Sequence, residues 1–92
     1  MPKFLAIHTL PAPVTIQGAT PLAKKVKALN TAVDAYWVGS WLQLNEAGEI
    51  SKILCEWNAV NVEAIRRELA KVPELRTDGI YPMAKIDSEE YR

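Results

Sequence analysis

Apolar residues in this chain gather in six blocks whose periods alternate between those of strands and helices. Pro2–Leu10 is the first. Phe4, Ala6, His8 and Leu10 alternate there with Leu5 and Ile7, so neither set is cleanly polar. That pattern predicts a strand over residues 2–10 that lies inside a sheet and is covered on both sides. Pro11, Pro13 and Gly18 then predict an irregular loop. From Leu22 the apolar positions Val26, Leu29 and Val33 recur at spacings of four, three and four, a stripe about 60° wide on a helix. The spacing predicts a helix over 21–34, with Thr20 as N-cap and Pro21 at the first helical position, where its missing N–H costs nothing. Lys24, Lys25 and Lys27 read as its solvated face.

The next two blocks hold all three tryptophans and the single cysteine. They predict hairpin strands over 36–45 and 49–58. Glu46-Ala47-Gly48 suits a three-residue connection closed by Gly48 in the left-handed conformation. A regular ladder from that turn pairs Trp41 with Ile53, Gly39 with Cys55 and Trp37 with Trp57. One face would then carry Trp37, Gly39, Trp41, Ile53, Cys55 and Trp57. The other would carry Tyr36, Val38, Ser40, Leu42, Leu44, Ile50, Leu54 and Glu56. A one-residue slip would regroup every pair. Asn58 or Asn61 caps a second helix over 60–71, with Val62, Ile65, Leu69 and Val72 as its buried stripe and Glu63–Arg67 as an exposed ion pair. A last strand over 79–86 contains Pro82, which places it at a sheet edge. Asp87–Arg92 reads as a polar tail.

Strand, helix, strand, strand, helix, strand is the order of the split βαβ, or ferredoxin-like, α+β fold. Right-handed crossovers give a four-stranded antiparallel sheet of spatial order 4-1-3-2, with both helices on one face. The other face would be bare in a monomer, yet the central strands carry apolar residues on both sides. Each buried aromatic is worth a few kcal/mol, at ~25 cal/mol per Å² over its 150–250 Å². Pairing two sheets into a dimeric α+β barrel recovers that area, so a homodimer is expected.

Composition narrows the function classes. Ninety-two residues make one small domain. Eleven basic and eleven acidic side chains cancel, so no global field draws the chain to nucleic acid or an anionic membrane. One cysteine excludes an internal disulfide and a Cys-rich zinc site. The N-terminal apolar run is too short for a signal peptide, and no segment approaches the ~20 apolar residues of a membrane span. A cytoplasmic location is the expectation.

Trp37-Val38-Gly39-Ser40-Trp41, Cys55-Glu56-Trp57-Asn58-Ala59 and Glu63-Ala64-Ile65-Arg66, with Met1-Pro2-Lys3-Phe4 and Leu10-Pro11, resemble the small ferredoxin-like proteins that include a bacterial nickel-binding protein. The resemblance covers most of the chain. It implies a dimeric α+β fold and, for at least one branch, a bound nickel ion. Ser40 and Cys55 match the family pattern as site residues and Trp37 as a structural one. Ile7-His8-Thr9 replaces the charged residues common before the strand-1 proline, and Gly39 stands where a histidine often precedes the hairpin serine.

Three kinds of chemistry follow. His8 and Cys55, on neighbouring central strands, would offer an imidazole and a thiolate to nickel or zinc if both faced the open side. Trp37, Ser40, Trp41, Glu56 and Tyr81 are the candidates for lining a pocket at that open face, and a small binding protein for a metal or an apolar molecule is the function expected. The alternative is a cofactor-independent monooxygenase- or isomerase-like enzyme, with His8 or Glu56 moving a proton. No triad spacing, phosphate-binding glycine motif or HExxH-type motif is present.

Overall fold

In the computed structural model, which describes residues 1–92, the elements are β1 (Lys3–Val14), α1 (Thr20–Leu29), β2 (Ala35–Leu44), β3 (Ile50–Ala59), α2 (Val62–Leu69) and β4 (Gly79–Met83). Short 3-10 turns occupy Gln17–Ala19 and Ser88–Tyr91. The latter lies in the expected polar tail, where the Asp87 carboxylate accepts from Glu89 N. The strands form one antiparallel sheet of order β2-β3-β1-β4. This is the ferredoxin-like α+β arrangement, with β1 and β3 central and Pro82 on the edge strand β4.

Alternation assigns the faces. Phe4, Ala6 and His8 of β1 lie beside Trp57, Cys55 and Ile53 of β3, and all six are buried under the helices. Ala64, Ile65 and Leu69 of α2, with Val72 and Leu75 after it, close this core. The opposite face carries Leu5, Ile7, Leu54, Glu56 and Tyr81 and has no second layer.

Several boundaries differ from the pattern-based expectation, each for a local reason. β1 continues in extended form to Val14, but its pairing jumps from Thr9–Lys52 to Val14–Ile50. Pro11 and Pro13 thus sit where no ladder donor is needed. Thr20 is inside α1, not its cap. The 3-10 turn runs straight into the helix behind Ala19, and Thr15 Oγ1 accepts from Gly18 N at 2.9 Å instead. α1 stops at Leu29, not residue 34. Asn30 leaves the helical region (ψ 71°), Lys71 Nζ reaches the Leu29 carbonyl (3.3 Å), and Ala32 N donates to Glu68 Oε1 (3.2 Å). Val33 is consequently 96% exposed and no part of a stripe. α2 is capped by Asn61, whose side chain accepts from Ala64 N at 2.9 Å. Its stripe is as expected, but Glu63 pairs with Arg66, and Arg67 reaches Asp34 at 2.6 Å.

The hairpin turn forms as expected. Asn45 N donates to Glu49 O (2.8 Å), Gly48 N donates to Asn45 O (3.0 Å), and Gly48 takes φ 76°. Between turn and base the ladder is shifted by one residue. Trp37 opposes Trp57, but Gly39 opposes Glu56, Ser40 opposes Cys55, Trp41 opposes Leu54 and Leu42 opposes Ile53. Irregularities at Val38 in β2 and at Ser51 in β3 bound this segment. Each adds an unpaired residue to one strand, as a β-bulge does. The regular pairing of Gly39 with Cys55 and Trp41 with Ile53 is therefore corrected. Ser40 and Leu42 turn toward the helices, Trp41 turns away from them, and Ile50 joins the core.

Candidate functional site

The Val38 bulge places two residues three apart in β2, Trp37 and Ser40, on the same helix-covered face. In a straight strand they would point oppositely. Trp37 Nε1 donates to Ser40 Oγ at 3.0 Å, and Ser40 Oγ donates to Cys55 Sγ at 3.1 Å. These groups line a pocket of about 310 Å³ between α1 and the sheet. Its helical wall is Ala19, Leu22, Ala23 and Val26, and Leu42 and Ile53 extend the sheet side. Space remains because Ala19 and Ala23, one helical turn apart, face Ser40 and Cys55, which are also small. The volume is at the low end of the roughly 300–1,000 Å³ of small-molecule sites.

Cys55 is 5% exposed. Burial pushes its thiol pKa up, partly opposed by the hydrogen bond from Ser40, so the sulfur is protonated at neutral pH. Ser40 has no base beside it, since both its hydrogen-bond partners are the indole and the thiol. Neither Ser40 nor Cys55 is therefore an activated nucleophile.

His8 is fully buried on the same covered face, not the open one. Its Nδ1 lies 3.1 Å from the Arg76 carbonyl and 3.3 Å from Thr77 Oγ1. The carbonyl can only accept, which assigns the proton to Nδ1 and leaves Nε2 without a partner. Desolvation holds the His8 pKa below its ordinary value, against the Arg76 carbonyl and the charge of Asp78. A histidine that ligates a metal is held in this manner. However, no group of three or more His, Cys, Asp or Glu side chains converges anywhere in the chain. With His8 and Cys55 both turned inward, a partner sheet has no access to complete a set. These residues do not fit a nickel centre.

The remaining candidates stand elsewhere. Trp41 is 75% exposed on the open face, with Tyr81 beside Leu5 in the neighbouring ladder. Glu56 is on that face too, ion-paired with Lys3. Of the pocket residues expected from sequence, the fold brings Trp37 and Ser40 to one place with Cys55, and leaves Trp41, Glu56 and Tyr81 outside it. The α1 wall was missed. The signal for it was the pair Ala19 and Ala23, small residues on the sheet-facing side of an otherwise Leu/Val stripe.

No family model matches the chain, and no curated protein matches it. Among solved structures, the crystal structure of SCO4226 from Streptomyces coelicolor A3(2) superposes with a TM-score of 0.73 at 14% sequence identity, over 92% of this chain and 99% of that one. At that identity the likeness is one of fold.

Proposed function

We propose that this protein is a small homodimeric binding protein, which takes an apolar molecule into the pocket beneath α1 and pairs with a second copy through its open sheet face. The observation that carries the binding reading is the pocket itself: an apolar cleft with one buried polar chain, Trp37–Ser40–Cys55, along its sheet wall. Such a combination fixes orientation without charge. The thiol remains reduced in a compartment such as the cytoplasm, where a single cysteine suits this role. A nickel ion has less support, because its two candidate ligands are sealed and lack a third.

Dimerisation has separate support. Trp41, Tyr81 and Met83 are each about half exposed or more on the face opposite the helices, and a chain this small gains stability by covering them.

Binding is tested by calorimetric titration with indane, a rigid hydrocarbon of suitable size. Wild-type protein should bind it, and Ala23→Phe, which sets a ring across the pocket, should weaken binding at least tenfold while leaving the unfolding transition in place. Equal binding by the two proteins would exclude the pocket beneath α1 as the site.

A further inference from the structure

The direction of the hydrogen bonds in the pocket wall limits what the pocket accepts. An indole N–H donates and never accepts. Trp37 therefore fixes Ser40 Oγ as its acceptor at 3.0 Å, and the single Ser40 hydrogen goes to Cys55 Sγ at 3.1 Å. The sulfur is the acceptor at the end of this chain, so the hydrogen of Cys55 is left with no acceptor in the protein. The side chain that carries it is more than nine-tenths buried and lines the pocket. Each donor in a chain polarises the next, which strengthens the last one.

The rest of the lining narrows the choice. Ten of the twelve lining residues are hydrophobic and the other two are Thr20 and Ser40, so no charged side chain meets a ligand. An anion or cation would enter without a counter-charge and lose its hydration. A pure hydrocarbon would fill the space and leave the S–H unused.

We propose that the pocket selects uncharged apolar molecules that carry one hydrogen-bond acceptor, the class of small ketones, and that the Cys55 S–H is the donor that meets the acceptor. This rests on the pocket reading above and adds a chemical class to it. Burial of the thiol keeps that proton in place at neutral pH.

The chain has one cysteine, so its S–H stretching band, recorded by infrared or Raman spectroscopy, reports Cys55 alone. The probes are indane and indan-1-one, which share a ring frame and differ by a carbonyl. With wild-type protein, both should bind and only indan-1-one should move the S–H band to lower frequency. Trp37→Phe removes the donor that holds the Ser40 hydrogen toward Cys55, so the hydroxyl can turn and accept from the thiol. The band of the unliganded variant should then already lie low, and the preference for ketone over hydrocarbon should fall about threefold, within the range of one net hydrogen bond. If both probes bind to wild-type protein and the band stays fixed under saturating indan-1-one, the acceptor proposal is overturned while the pocket reading survives. Failure of both probes to bind would overturn the two together.

Discussion

His8 under the Arg76–Thr77 backbone and Cys55 under α1 respond to pH in opposite senses when the chain unfolds. The folded His8 pKa is depressed, chiefly by burial. Unfolded protein therefore takes up this proton as pH drops past about 6.5 while the folded form resists it, and stability declines from there downward. The folded Cys55 pKa is raised, again chiefly by burial. The unfolded thiol ionises first as pH climbs past about 8.5, and stability declines from there upward. Urea midpoints should be highest near neutrality and lower at both ends. His8 is the only histidine, so the fall between about pH 7 and 5.5 should vanish in His8→Gln. A wild-type midpoint unchanged across that interval would contradict the assignment. His8 as a neutral core residue was not legible from the sequence. The alternation of β1 put it on a face with Phe4 and Ala6, but which face the helices cover depends on the whole sheet.

At the scale of elements, the strongest local signals were the ones the structure kept. Glu46-Ala47-Gly48 gives the turn, Asn61 caps α2, and Pro82 marks the edge. Gly48→Ala should cost about 1 kcal/mol, because φ 76° is strained for a residue with a Cβ. Chemical denaturation should show a lower midpoint at an unchanged m-value, and an unchanged midpoint would mean the turn relaxes freely. The bulges were harder to see. β2 is apolar at Tyr36, Trp37, Val38, Trp41 and Leu42, so a change of face leaves no break in alternation. β3 does hold a clue. Ile50 and Ile53 are both buried, although their odd spacing puts them on opposite faces of a regular strand, and the polar pair Ser51-Lys52 between them marks where parity changes. The end of α1 was hidden for another reason. Val33 continues the helical spacing, while the groups that take up the Leu29 carbonyl and Ala32 N, Lys71 and Glu68, lie far along the chain.

For the whole molecule, the sheet has a dry side beneath the helices and an unshielded side opposite. Its element order and strand order followed from the pattern, since βαββαβ with right-handed crossovers leaves few alternatives. The proposed dimer belongs to this scale. Sedimentation should give a dimer at micromolar concentration, and Trp41→Lys, which puts a charge where the sheets would meet, should shift it to monomer by at least tenfold in dissociation constant. Because Trp41 points away from the pocket, the variant should bind indane as wild type does. A wild-type monomer at these concentrations would remove the dimer from the proposal and leave the pocket untouched.

The paired bulges at Val38 and Ser51 act on the hairpin as a frameshift and its suppressor act on a reading frame. The first shifts the β2–β3 register by one residue, the second, in the facing strand, shifts it back before the turn, and only the short segment between them is paired in the other phase. That segment holds Ser40 and Trp41. Drawing both extra residues into a regular ladder, with neither deleted, would keep the turn and the base of the hairpin, yet exchange these two side chains across the sheet. The indole would fill the space beneath α1 and the hydroxyl would face outward. Two bulges thus decide whether the same local sequence makes a packed core or a hollow one.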